Sequence, residues 1–205
     1  MEIQKVSDNP DDFKENKCLL VKNLISDDCR KLLTTMLALD EAGDKRGNQV
    51  PGSIEVYNSV ALNTVNQMLL NKIKKITNLP YLYSTYAFYR KYYEDQPLEK
   101  HTDRPECEVS ITISLADSEP QKEWPIYLQD PVSKTVYEGY TEPGDGVIYL
   151  GCELVHWREP CNKKWVKQFF SHYSPNSNLE FDHAAEKSDN ELMRAQYIRS
   201  ILELT

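Results

Sequence analysis

The chain has 205 residues, 40% hydrophobic and 27% charged, enough for one ordinary domain with one apolar core. A formal net charge of -8 repels phosphate backbones, so a nucleic-acid partner is not expected. The five cysteines, Cys18, Cys29, Cys107, Cys152 and Cys161, contain no closely spaced pair, which argues for reduced thiols and against a cysteine-built zinc site.

Residues 1–17 are polar and read as an arm, with a short helix around Asp11–Asn16. No apolar run opens the chain and none is long enough to span a bilayer, so the expectation is a cytoplasmic protein with no membrane partner. Cys18 to Leu24 is a short apolar strand. Ser26 reads as an N-cap followed by acidic Asp27 and Asp28. The helix it starts runs to about Leu39, with Leu32, Leu33, Met36 and Leu37 expected on one face. Residues 40–53 are rich in turn formers and read as a loop. Asn63 to Thr77 carries Val65, Met68, Leu69, Ile73 and Ile76 at helical spacing, and Asn78-Leu79-Pro80 stops it.

From Tyr81 the composition changes to that of strands. Aromatic residues dominate through Tyr93. Val109, Ile111, Ile113 and Leu115 alternate with Ser110, Thr112 and Ser114, giving one apolar and one hydroxylated face. Further strands fall at 124–128, 134–137, 147–150 and 165–173, divided by Pro-, Gly- and Asp-rich turns. Many short strands after two helices predict an antiparallel double sheet buttressed by the helices. The predicted domain covers 1–175, with a helical buttress at about 18–80 and a sheet core at about 81–173. Residues 176–205 read as a C-terminal extension, helical over 184–204 and able to form a subunit contact; the pattern does not fix an oligomeric state.

The chemistry is carried by His101-x-Asp103 and by His156, which follows the turn and strand Pro143-Gly144-Asp145-Gly146-Val147-Ile148-Tyr149. Two imidazoles and one carboxylate can occupy one face of an Fe(II) octahedron and leave three positions open. The spacing alone is weak, since about half a His-x-acid match is expected by chance in a chain of this composition. Its strength comes from the strands that flank both histidines.

These residues resemble the 2-oxoglutarate- and Fe(II)-dependent dioxygenases, in the prolyl-4-hydroxylase-like branch. The similarity runs over about 18–173 and is most specific from Tyr92 through Gln96 to Asp103. It implies a double-stranded β-helix (jelly roll) with flanking N-terminal helices and a C-terminal helix. It implies that His101, Asp103 and His156 hold Fe(II), and that 2-oxoglutarate and O2 are consumed to give succinate, CO2 and an oxidised substrate C–H. Ascorbate is an accessory the resemblance leaves open. Tyr92 resembles the tyrosine that bonds the co-substrate, and Thr112 faces the same pocket. The far carboxylate needs a cation. The family position for it, about ten residues past the distal histidine, is Val166 here, which leaves Lys167 and Arg158 as equal candidates. A carboxylate at Asp103 favours hydroxylation or desaturation over halogenation. The substrate, a peptidyl residue, free amino acid or other small molecule, has no readable signature. Two other readings share these strands: a cupin-like metal-binding jelly roll, and a non-enzymatic β-sandwich interaction module.

Overall fold

The computed structural model describes residues 3–41, 49–57 and 59–176. Among these residues three α-helices and eleven strands follow in chain order: β1 (Ile3–Lys5), α1 (Phe13–Asn16), β2 (Cys18–Val21), α2 (Asp27–Glu41), β3 (Ile54–Tyr57), α3 (Val60–Thr77), β4 (Tyr83–Tyr93), β5 (Leu98–His101), β6 (Val109–Asp117), β7 (Ile126–Gln129), β8 (Val136–Gly139), β9 (Gly146–Leu150), β10 (Val155–Arg158) and β11 (Trp165–Ser174). The helix expected over 184–204 lies outside the described residues.

The strands form two sheets. The major sheet has the order β2-β9-β6-β11-β4-β3 and the minor sheet β1-β8-β7-β10-β5. Only β1 with β8 is parallel; the other pairs are antiparallel. Chain neighbours sit in opposite sheets at β1–β2, β4–β5, β5–β6, β6–β7, β8–β9, β9–β10 and β10–β11, which is how a jelly roll is wound.

Period-two alternation decides what each face of the major sheet meets. Ala87 and Tyr89 of β4, Val109 to Leu115 of β6 and Phe169 of β11 pack with Leu33 and Leu37 of α2 and Leu62, Leu69 and Ile73 of α3. Each of these buried leucines or isoleucines contributes about 1.5–3 kcal/mol. The intervening residues point into the space between the sheets.

Both long helices start where a serine caps them. Ser26 Oγ accepts from the Cys29 amide at 3.2 Å, and Ser59 Oγ from the Leu62 amide at 3.2 Å, so α3 begins at Val60, three residues before the expected start at Asn63. The buried stripes are narrower than the sequence suggests. Leu32 is 61% exposed, Met36 42% and Met68 63%, because a flat sheet reaches only the central rows of a helix. Gly144 has φ +100°, a left-handed conformation that closes the turn before β9 at little cost.

Four strands, β1, β3, β5 and β10, are absent from the sequence reading. β1 lies in the polar arm, β3 follows the predicted loop, and β5 is Leu98-Glu99-Lys100-His101. Each is only three or four residues long, too short for alternation to register. β10, where only a strand end was expected, pairs with β5 so that His156 stands directly opposite His101.

Candidate metal centre

His101 ends β5, His156 is central in β10, and Asp103 lies two residues beyond β5. Asp103 is not held by a ladder, as a strand position would be. Its amide donates to the Gly151 carbonyl at 2.8 Å, which fastens it to the turn after β9. The three side chains converge with their candidate ligand atoms within 4.8 Å of one another. Asp103 Oδ1 is 3.5 Å from His156 Nε2 and 3.8 Å from His101 Nε2. Two ligands at right angles on a small dication, with bonds of about 2.1 Å, sit about 3 Å apart. Small rotamer adjustments close that difference.

Both imidazoles are set in the tautomer a metal needs. His101 Nδ1 donates to the Glu99 carbonyl at 2.7 Å, and His156 Nδ1 to the Leu154 carbonyl at 3.0 Å. Each Nε2 therefore presents a lone pair toward Asp103. Burial, and then the neighbouring His156, push His101 below the ordinary imidazole range. Burial would raise Asp103, but the facing His156 imidazole in its charged form and the bond from the Ser110 hydroxyl override it and hold the carboxyl at about 2. Two neutral nitrogens and a carboxylate suit a divalent transition metal.

A close approach supports the acid. A Cβ at Gly151 would overlap Asp103 Oδ2 and sit 2.5 Å from the Cys107 carbonyl oxygen. Ser110 Oγ donates to Asp103 Oδ2 at 2.6 Å and lies 2.9 Å from His172 Nδ1. Asp103, Cys107 and His172 form a second cluster of metal-type side chains, but Ser110 fills the space between two of them.

The lumen holds two buried arginines with opposite circumstances. Arg90 is paired with Glu55, bonds Tyr92 Oη at 3.0 Å and Gln49 Oε1 at 2.7 Å, and lies over the rings of Phe88, Tyr92 and Phe170. Arg158 is 1% exposed and has no carboxylate partner among the described residues. Its Nη1 donates to the Trp124 carbonyl at 2.9 Å and its Nη2 to Thr112 Oγ1 at 3.3 Å, while Nε has no partner. Burial lowers its pKa, the expected sign for an uncompensated cation. A guanidinium left so is costly unless an anion joins it.

The sequence-level candidates therefore separate. Arg158 and Thr112 meet, and Thr112 donates onward to Gln168 Oε1 at 3.0 Å. Tyr92 is fully buried on the lumen side, with its ring edge on Trp124 at 5.0 Å. Lys167 is elsewhere. It lies on the helix-facing side of β11, where its Nζ is 2.8 Å from Glu41 of α2. Adjacent strand residues point to opposite faces, so Lys167 cannot share the lumen with Gln168.

Ser110, His172, Gly151, Gln49 and Tyr149 are site neighbours that sequence reasoning did not single out. Ser110 shares the hydroxylated face of Thr112, and that was the one available signal. Gln49 Nε2 donates to His101 Nε2 at 3.1 Å, the lone pair a metal would take, and marks the exposed mouth of the site. The Tyr149 ring is tilted over His156 at 4.8 Å, and burial raises its phenol well above the ordinary range. A cavity of about 580 Å³ has Ser114, Trp124, Val166 and Gln168 in its wall, Ser114 lying four residues along β6 from Ser110.

No protein-family model matches the sequence, and no curated protein matches it either. Solved structures do. A Pseudomonas putida prolyl-4-hydroxylase superposes with a TM-score of 0.64 at 14% identity, covering 80% of this chain and 96% of that one. The fold is that of the 2-oxoglutarate/Fe(II) oxygenases. An oxidoreductase of the 2OG-Fe(II) oxygenase family from Burkholderia pseudomallei gives 0.63 at 9% identity, over 85% of this chain and 96% of that one. HygX from Streptomyces hygroscopicus, solved with nickel and 2-oxoglutarate, gives 0.64 at 14% identity over 80% and 85%. The jelly roll expected from the sequence is thus observed. No helix among the described residues is long and apolar enough to cross a membrane.

Proposed function

We propose that the chain is a 2-oxoglutarate- and Fe(II)-dependent oxygenase that hydroxylates an unactivated C–H bond of a peptidyl or small-molecule substrate. Succinate and CO2 are the co-products. One observation carries the reading. A two-imidazole, one-carboxylate donor set shares a lumen with a buried guanidinium that has no carboxylate of its own. The cupin-like and non-enzymatic readings explain the donor set or the fold, but not that unpaired cation.

His101, Asp103 and His156 would hold the metal, and Arg158 with Thr112 the far carboxylate of the co-substrate. The chemistry supplied when Fe(II), 2-oxoglutarate and O2 are bound is decarboxylation coupled to C–H oxidation. The protein balances the charge. Asp103 and Arg158 offset a dication and a dianion, so a neutral assembly is buried rather than a charged one. Arg158 offers Nε and the guanidinium edge in a planar fork, which fixes the carboxylate's orientation as well as its position. Tyr92, Trp124, Val166 and Tyr149 line the lumen with apolar surface and keep bulk water from the reacting groups. Asp103 occupies the ligand position in which a halogenase would have a small residue, which favours hydroxylation or desaturation over halogenation.

The test is O2-dependent succinate formation from 2-oxoglutarate, with Fe(II) and ascorbate, across a panel of peptides and free amino acids. Wild-type protein is expected to release succinate, with at least one substrate accelerating it, and His156→Ala to release none. Iron-loaded wild type that makes no succinate under any of these conditions would refute the proposal.

A further inference from the structure

The groups around Asp103 form a one-directional chain of donors. Ser110 Oγ has one proton and three neighbours in reach: Asp103 Oδ2 at 2.6 Å, the Cys107 carbonyl at 3.0 Å and His172 Nδ1 at 2.9 Å. A carboxylate and a carbonyl can only accept. The shortest contact is to the carboxylate, in the range of charge-assisted O–H···O bonds, so the serine proton goes there. His172 Nδ1 must then carry a hydrogen and donate to Ser110 Oγ. His172 Nε2 is left as a buried lone pair, and it has no partner. An unsatisfied buried nitrogen costs stability, so a role in holding the serine gives a physical reason for a histidine here. Phenylalanine would suit the surroundings better, since the imidazole is stacked against both Tyr86 at 4.6 Å and Phe88 at 5.6 Å.

We infer that His172, acting through Ser110, is a positioning residue that commits Asp103 to bind the metal through Oδ1 alone. Oδ2 is occupied by the serine proton and hemmed in by Gly151, while Oδ1 is the oxygen that faces both histidine nitrogens. A carboxylate free to swing would chelate with both oxygens and take one of the three positions that co-substrate and O2 need. His172 touches neither metal nor substrate; its effect is on ligand geometry, the usual work of groups behind a metal's ligands. The inference rests on the metal-site reading above and adds a device to it.

Metal binding alone tests it, read by the free-ion electron paramagnetic resonance signal of Mn(II) as the metal-free protein is titrated, beside thermal melts of the same samples. His172→Phe is expected to melt no lower than wild type and to bind Mn(II) about 10–100-fold more weakly. His172→Asn places an amide N–H near the position of Nδ1 and should restore affinity to nearly the wild-type value. Ser110→Ala should weaken binding to the same extent, and adding His172→Phe to it should weaken binding no further. Wild-type affinity in His172→Phe, or additive losses in the double variant, would overturn the relay. If His172→Phe does not fold, Ser110→Ala with and without His172→Asn carries the comparison, and additivity there is again the overturning result. A wild-type chain that binds no Mn(II) or Fe(II) would instead overturn the metal site itself.

Discussion

The two faces of the major sheet are made from the same strands and do different work. The helix-facing side is mostly hydrocarbon and, among the described residues, carries an ion cluster in which Glu41 meets Lys91 at 3.1 Å and Lys167 at 2.8 Å, with Tyr89 also bonded. The charges of that cluster are paired within the protein. The lumen side bears Ser110, Thr112, Ser114, Tyr92, Gln168 and His172, and Arg158 across from them lacks a carboxylate. The self-sufficient face stabilises the fold. The incomplete face is where the proposed ligands would bind, because they would stabilise it on arrival.

The sharpest way to break this contrast is at the metal. Asp103→Ala removes the one anionic ligand and should lower Fe(II) affinity by more than about 100-fold, measured by anaerobic competition with a chelator. Next comes a matched pair across the sheet. Arg158→Leu should weaken 2-oxoglutarate binding to the Fe(II) protein by about 100-fold or more, the scale of truncating one partner of a buried charge pair. Lys167→Leu should leave that affinity unchanged, and calorimetry of both variants decides between the faces. Equal losses would return Lys167 to the site. A smaller effect is expected from Gly151→Ala. Its methyl displaces the Asp103 carboxylate or the Cys107 carbonyl, costing about 1–3 kcal/mol by denaturant melts and about tenfold in metal affinity.

The mildest effect is on the helix-facing side. Burial alone would raise Glu41, but Lys167, Tyr89 and Lys91 override it and lower its pKa below the usual glutamate value. A carboxyl depressed on folding adds stability above its unfolded pKa. That stability fades as pH falls through the depressed folded value. Glu41→Gln should therefore flatten the acid limb of the stability profile by about 1 kcal/mol or less, with no change in metal affinity.

The rolled sheet and the meeting of His101, Asp103 and His156 were readable because both depend on local order. Alternation of Val109 to Leu115 with Ser110, Thr112 and Ser114 marks which side of a strand is polar. His101-x-Asp103 and the Pro-Gly-Asp-Gly turn before His156 sit at recognisable strand boundaries. Lys167 could not be told from Arg158 in this way. Both parities of β11 carry large apolar residues, Val166 and Phe170 on one side and Trp165 and Phe169 on the other, so the sequence does not show which side is the lumen. That Arg90 is paired with Glu55 while Arg158 is unpaired is a fact of tertiary contact. Gly151 and His172 escaped for the same reason: their meaning depends on an acid 48 and 69 residues away along the chain. Short β5 and β10 escaped because four residues are too few for a period, although their mutual pairing is what sets His101 against His156.

The most direct test is anaerobic titration of the metal-free chain with Fe(II) and 2-oxoglutarate, followed by the visible metal-to-ligand charge-transfer band. Wild type should develop the band and saturate at one Fe(II) and one 2-oxoglutarate per chain, while Asp103→Ala and His156→Ala should stay colourless. A wild-type chain without the band, or an Asp103→Ala chain that keeps it, would contradict the account.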